Sequence, residues 1–151
     1  MATRSEVTEA KRVVVKVGSS SISGDNVGQL TTIVDAIAAA HGRGVSVVLV
    51  SSGAIATALP HFGLTARPTH DLVTEQAAAA VGQTMLMVRY QDALNRYDIV
   101  AAQVLLTSGD LEGAATRDNA RAAIDKLLAL RFLPIVNEND TVATQEIRFG
   151  D

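Results

Sequence analysis

The chain has 151 residues, a formal net charge of −3 and 48% hydrophobic residues, of which so few are aromatic (3% of the chain) that any core must be aliphatic. That length suggests one domain with a sizeable core, and the acidic balance without a basic run argues against nucleic-acid binding. The absence of Cys excludes disulfides and thiolate metal sites and fits a cytoplasmic setting, while neither a signal peptide nor an apolar run near the ~20 residues of a membrane span is present.

Residues 1–11 contain Glu6 and Glu9 but no apolar block, and are expected to be a flexible N-terminus. Val13-Val14-Val15-Lys16-Val17 reads as a buried strand, and a Ser- and Gly-rich loop follows it. Val27, Leu30, Ile33, Val34 and Ile37 recur at helical spacing, which predicts a helix ending near Gly42. Residues 45–50 form the second predicted strand, Ser51-Ser52-Gly53 turns into a short Ala-rich helix, and Pro60 to Asp71 is a loop. One long helix is expected from about Thr74 to Tyr97; Gly82 inside it is a poor helix former, and close packing against a neighbour would explain it. Ile99 to Leu106 is a third strand, residues 107–115 are irregular, and residues 116–130 are a helix with Ala120, Ile124, Leu127 and Leu128 inward. Residues 133–136 are a fourth strand, and residues 144–149 start a hairpin. Alternating strands and helices imply a three-layer α/β/α fold with a mostly parallel sheet and right-handed crossovers.

Three strand ends carry polar tips, and in open α/β sheets ligands sit at the carboxyl ends of strands. The first is Lys16-Val17-Gly18-Ser19-Ser20. Lys16 is one of three lysines and alone sits inside an apolar strand, where an ammonium needs a partner. Beside a glycine turn it could face phosphate, although a strand-end lysine that snorkels to water is the plainer alternative. Neither common nucleotide-binding glycine fingerprint is present. The second tip, Ser51-Ser52-Gly53, offers close backbone approach at Gly53 and a helix cap by Ser52. The third, Asn137-Glu138-Asn139-Asp140, holds more acids and amides than a turn needs, and Asp140 could hold a substrate ammonium. His41, His61 and His70 lack metal-ligand spacing, and no catalytic triad is visible. A missing general base suits phosphoryl transfer to a carboxylate, a nucleophile that is already ionised.

Five blocks occur in order: residues 14–20, 48–56, 76–83, 102–107 and 135–143. Together they resemble the glutamate 5-kinases of the amino-acid kinase family, over about Arg12 to Asp151. The resemblance implies ATP-dependent phosphorylation of the side-chain carboxylate of L-glutamate, the first step of proline biosynthesis. By motif position it makes Lys16 the catalytic, phosphate-contacting lysine, with Gly18 beside it in the ATP site. It makes Ser52, Gly53, Asn137 and Asp140 substrate-binding residues. It also implies Mg²⁺ carried by ATP, proline as feedback inhibitor, a homo-oligomer, and no nucleic-acid or membrane partner. Two departures stand out: residues 56–59 lack the glycine usual after Ser-Gly-Ala-Ile, and Glu75 stands where a lysine is usual. Residues 12–151 are thus expected to be the N-terminal, substrate-binding part of a truncated kinase domain, without the nucleotide-binding half or any PUA domain and with doubtful activity alone. Two alternatives stand beside this: a non-catalytic glutamate- or proline-binding or oligomerisation module, and a sister kinase with another acceptor.

Overall fold

The computed structural model describes residues 3–142, so the hairpin expected at residues 144–149 lies outside the described residues. Four strands form one parallel sheet: β1 (Arg12–Val17), β2 (Ser46–Ser51), β3 (Ala101–Leu106) and β4 (Leu133–Glu138), in the order β1-β2-β4-β3. The helices are α1 (Arg4–Glu9), α2 (Gln29–Gly42), α3 (Ala54–Ala58), α4 (Leu72–Asn95), α5 (Ser108–Glu112) and α6 (Ala114–Ala129). Where a flexible N-terminus is expected, Thr3 closes a capping box with Glu6 and starts α1, none of whose residues is buried. Among the described residues, no helix is long and apolar enough to cross a membrane.

The order of strands decides the layers. The chain steps from β1 to β2 and on past β4 to β3, then turns back to β4. Right-handed connections therefore put α2 and α4 on one face and α6 on the other. The packing agrees. On the first face, alternate residues Val17, Val47, Leu49, Leu133 and Ile135 meet Val34 and Ile37 of α2 and Leu86, Tyr90 and Leu94 of α4 in one aliphatic cluster. The second face is thinner. Of the four residues expected inward on α6, Leu128 is buried, while Ala120, Ile124 and Leu127 are half-buried.

Strand β1 corrects the sequence reading. Its residues alternate between exposed and half-buried until Val17, and Val14 is 63% exposed. The triple-valine run looks like a central strand but lies at the sheet edge, with β2 as its partner. Lys16 shares that outer face and is exposed, so no buried ammonium needs neutralising. A second correction concerns residues 107–115, expected to be irregular. Thr107 and Asp110 form a capping box, each side chain bonding the other's backbone N–H, and this nucleates α5.

Proline in a central strand demands an account, because it has no N–H for the ladder. Leu133 donates to Val100 O, and Asn139 donates to Leu106 O, so odd-numbered residues of β4 face β3. Pro134 therefore faces β2, where the pairing begins only at Leu49 and Ile135.

Gly82 has the neighbour that its place in a helix suggests. A Cβ there would lie 1.6 Å from the carbonyl oxygen of Ala54. Helix α4 thus crosses the start of α3 backbone to backbone, which no other residue permits.

Candidate functional site

Strand β4 sits between β2, whose chain leaves toward the α3–α4 face, and β3, whose chain leaves toward the α5–α6 face. A crevice opens at such a switch point. Here it takes the form of two adjoining clefts. The larger, about 440 Å³, is lined by Ser19, the β2–α3 turn, Thr65, Ala66 and Arg67 of the following loop, and Asn137, Glu138 and Asp140. The smaller, about 210 Å³, is lined by Lys16, Val50, Leu106, Thr107, Ser108, Leu111 and Val136. Ser52, Asn137 and Glu138 line both and form the wall between them.

Each wall residue is held by backbone geometry beyond the strands. The Ser52 N–H donates to Val17 O at 2.9 Å, which extends the β1–β2 pairing by one residue. Gly53 then adopts φ 105°, a left-handed conformation that suits glycine. A Cβ at Gly53 would also touch Ile22, whose fully buried side chain anchors the loop after β1. Gly53 is the N-cap of α3 and no side chain caps that helix, so the cap expected from Ser52 is not made. The side chain of Ser51 instead turns inward and shares a 2.7 Å hydrogen bond with the buried Tyr90 hydroxyl on α4. Burial raises the Tyr90 phenol above its ordinary value, and the Ser51 bond opposes this.

Asn137 uses both ends of its amide. Its Nδ2 donates to Gln83 Oε1 on α4 at 2.9 Å, and its Oδ1 accepts from the Glu138 N–H at 2.8 Å. Helix α4 therefore props both sides of the crevice, through Tyr90 under β2, Gln83 under β4 and Gly82 against α3.

Asp140 is half-buried beyond the end of β4. Loss of solvation raises its carboxyl above the ordinary 3.8, while the positive charge of Arg67 and the hydrogen bond shared with the Glu138 side chain work in the opposite direction. Arg67 itself pairs through Nε with Glu75 on α4. The Glu75 side chain is 1% exposed and that of Arg67 48%. The glutamate that departs from the resembled family's lysine thus sits buried against an arginine at the cleft.

The expected site residues therefore divide. Ser52, Gly53, Asn137 and Asp140 line the larger cleft, and Lys16 lines the smaller. Gly18 lines neither. Its φ is −76°, and a Cβ there would meet nothing within 4 Å, so nothing in the described residues demands a glycine. Sequence reasoning missed Arg67, Thr65 and Gln83, and gave Glu138 no role, although it faces both clefts. A signal for Arg67 existed: Glu75 opens an Ala-rich buried helix face, and a buried carboxylate requires a cation nearby.

Comparison with known proteins adds an independent line. Residues 11–151 match the model of the amino acid kinase family. The chain is similar to the glutamate 5-kinase of Leifsonia xyli subsp. xyli, 66% identical over 148 residues that cover 98% of this chain and 54% of the relative. It is 65% identical to the glutamate 5-kinase of Clavibacter sepedonicus over 150 residues, 99% of this chain and 58% of the relative. The glutamate 5-kinase of Thermobifida fusca is 50% identical over 153 residues, 99% of this chain and 39% of the relative. The chain spans roughly half the length, or less, of these curated relatives.

Proposed function

The chain belongs to the amino acid kinase family, and from that premise we propose that it serves ATP-dependent phosphorylation of the side-chain carboxylate of L-glutamate, the opening step of proline biosynthesis. One observation carries the reading: a larger cleft with Asp140 and a smaller cleft with Lys16 share the wall of Ser52, Asn137 and Glu138. Two substrates bound on either side of that wall would meet at it.

In this reading Asp140 takes the α-ammonium of glutamate, the one cationic group of that substrate. Ser52, Gly53 and Asn137 place the side-chain carboxylate at the shared wall. Lys16 reaches the transferring phosphate from the opposite side and offsets the charge that builds there. The acceptor carboxylate is already ionised at neutral pH, so no general base is required and the work is positioning and charge neutralisation. Among the described residues no group of three or more His, Cys, Asp or Glu side chains converges. Mg²⁺ would arrive on the ATP phosphates, as it commonly does, and neutralise charge there. Proline shares the α-ammonium and α-carboxylate of glutamate, so the same cleft offers feedback inhibition a place to act. A cytoplasmic homo-oligomer completes the proposal.

A second reading, amino-acid binding without phosphoryl transfer, is favoured by the exposure of Lys16 on an edge strand. Titration calorimetry with L-glutamate and coupled ADP release with glutamate, aspartate and N-acetylglutamate as acceptors separate the cases. Glutamate-dependent ADP release supports the kinase reading. Glutamate binding with no release, by this chain and by a form of the relatives' full length alike, supports the second. Absence of glutamate binding overturns both.

A further inference from the structure

The larger cleft contains a cation that the assignment of Asp140 leaves unused. Arg67 is the cationic residue among those lining it, and Lys16 lines only the smaller cleft. Arg67 is close enough for its charge to act on the Asp140 carboxyl. Its orientation is constrained from behind: Glu75, in the buried face of α4, takes Nε, while nearly half of the arginine side chain stays exposed and the residue lines the cleft. A guanidinium is a planar fork, so fixing Nε fixes the plane and leaves two terminal nitrogens as donors on a set line. That is the arrangement that a carboxylate accepts in bidentate fashion.

We propose that Arg67 binds the α-carboxylate of the amino-acid substrate, so that Asp140 and Arg67 together read the zwitterionic end and select α-amino acids. The assignment rests on the reading of the larger cleft as the amino-acid site. It also sets the direction of the substrate. The α-carbon faces Asp140 and Arg67, and the side-chain carboxylate extends to the Ser52–Asn137 wall beyond which Lys16 lies. A simpler role for Arg67, neutralising the buried Glu75, accounts for the ion pair. It does not account for a half-exposed arginine that lines the same cleft as Asp140.

The test pairs two ligands with two variants. 4-Aminobutyrate is glutamate without its α-carboxylate. By titration calorimetry on this chain, the Arg67→Met variant is expected to lose roughly 100-fold in L-glutamate affinity, the scale of a bidentate charge-assisted contact. Its affinity for 4-aminobutyrate stays at the wild-type value. Because Arg67→Met strands the Glu75 carboxylate, the double variant Arg67→Met/Glu75→Met removes both charges. It is expected to keep the wild-type far-UV spectrum and show the same selective loss. Glutamate binding by the double variant at wild-type strength overturns the assignment and leaves Arg67 a structural partner of Glu75. Equal weakening of both ligands overturns it too. A wild-type chain that binds neither ligand overturns the amino-acid reading of the cleft, and the role of Arg67 falls with it.

Discussion

Replacing Gly82 by alanine sets two effects of opposite sign against each other. Helix propensity alone favours the change by about 1 kcal/mol, since glycine in a helix interior loses more backbone freedom than alanine. Packing opposes it. The new Cβ would lie 1.6 Å from Ala54 O and 2.5 Å from the Ala54 carbonyl carbon. To recover a 3.0 Å approach, α3 and α4 must part by about 1.4 Å. Both obstructing atoms are backbone, so no rotamer change relieves the clash. Overpacking costs about 1–3 kcal/mol, and an immovable neighbour puts this case at the upper end. The expected net loss is about 2 kcal/mol, or roughly 4–8 °C in melting temperature for a chain of this size. Separation of the helices also carries Gln83 away from Asn137 and shifts Gly53, so glutamate affinity should fall at least ~10-fold. Thermal unfolding by circular dichroism and titration calorimetry on the same samples measure both. A melting temperature at or above that of the wild type would show that propensity outweighs the contact and would refute the close approach of the two backbones.

Asp140→Asn should abolish measurable glutamate binding, yet leave thermal stability at neutral pH unchanged or slightly higher, because the desolvated charge it removes opposes folding. The sign follows from the raised carboxyl: the folded state holds the proton above the ordinary 3.8, so wild-type stability falls as pH rises through the window between 3.8 and the raised value, and this slope should vanish in the variant. Glutamate affinity should show the mirror image, declining on acidification at a pH above that of a free aspartate, as followed by calorimetry across a pH series. Lys16→Ala touches an exposed edge residue, so stability should stay within about 0.5 kcal/mol, while in a form of the relatives' full length nucleotide binding weakens and glutamate binding does not; a loss of glutamate affinity alone would remove Lys16 from the phosphate side. Tyr90→Phe deprives the buried Ser51 hydroxyl of its 2.7 Å partner, and chemical unfolding should register a loss of about 1–2 kcal/mol.

The elements were legible because each announces itself locally. Leu30, Val34 and Ile37 repeat at the helical period and do form the buried stripe of α2. Gly82 signalled a close approach through its poor fit to a helix, and Ala54 supplies it. What could not be read is which elements become neighbours. Val13-Val14-Val15 is as apolar as a central strand, and only the order β1-β2-β4-β3 makes it an edge. The same ignorance made Lys16 look buried. Thr107 and Asp110 were legible in principle, since the two sit three residues apart in a capping pattern, but a helix of five residues has too little periodicity to be noticed.

Residues Asn137 and Asp140 were found because they cluster in sequence at a strand end, whereas Arg67 lines the same crevice and Gln83 braces its wall from a loop and a helix that are distant in sequence. Their contribution follows from one structural fact: α4 runs beneath the tips of both β2 and β4. A helix in that place can fix the spacing of two strand ends only by contacts that tolerate no slack. Three such contacts exist, from Gly82 to the backbone of α3, from Gln83 to Asn137, and from Tyr90 to Ser51. Glu75, two turns before Gly82 on the same buried face, adds a fourth by tying down Arg67. The polar residues of α4 are thus supports whose effect is felt at the wall between the clefts, where a misplacement of about 1 Å is enough to cost two orders of magnitude in a positioned reaction. The helix reads as unremarkable and Ala-rich in sequence because small side chains are what let it lie close to everything it aligns.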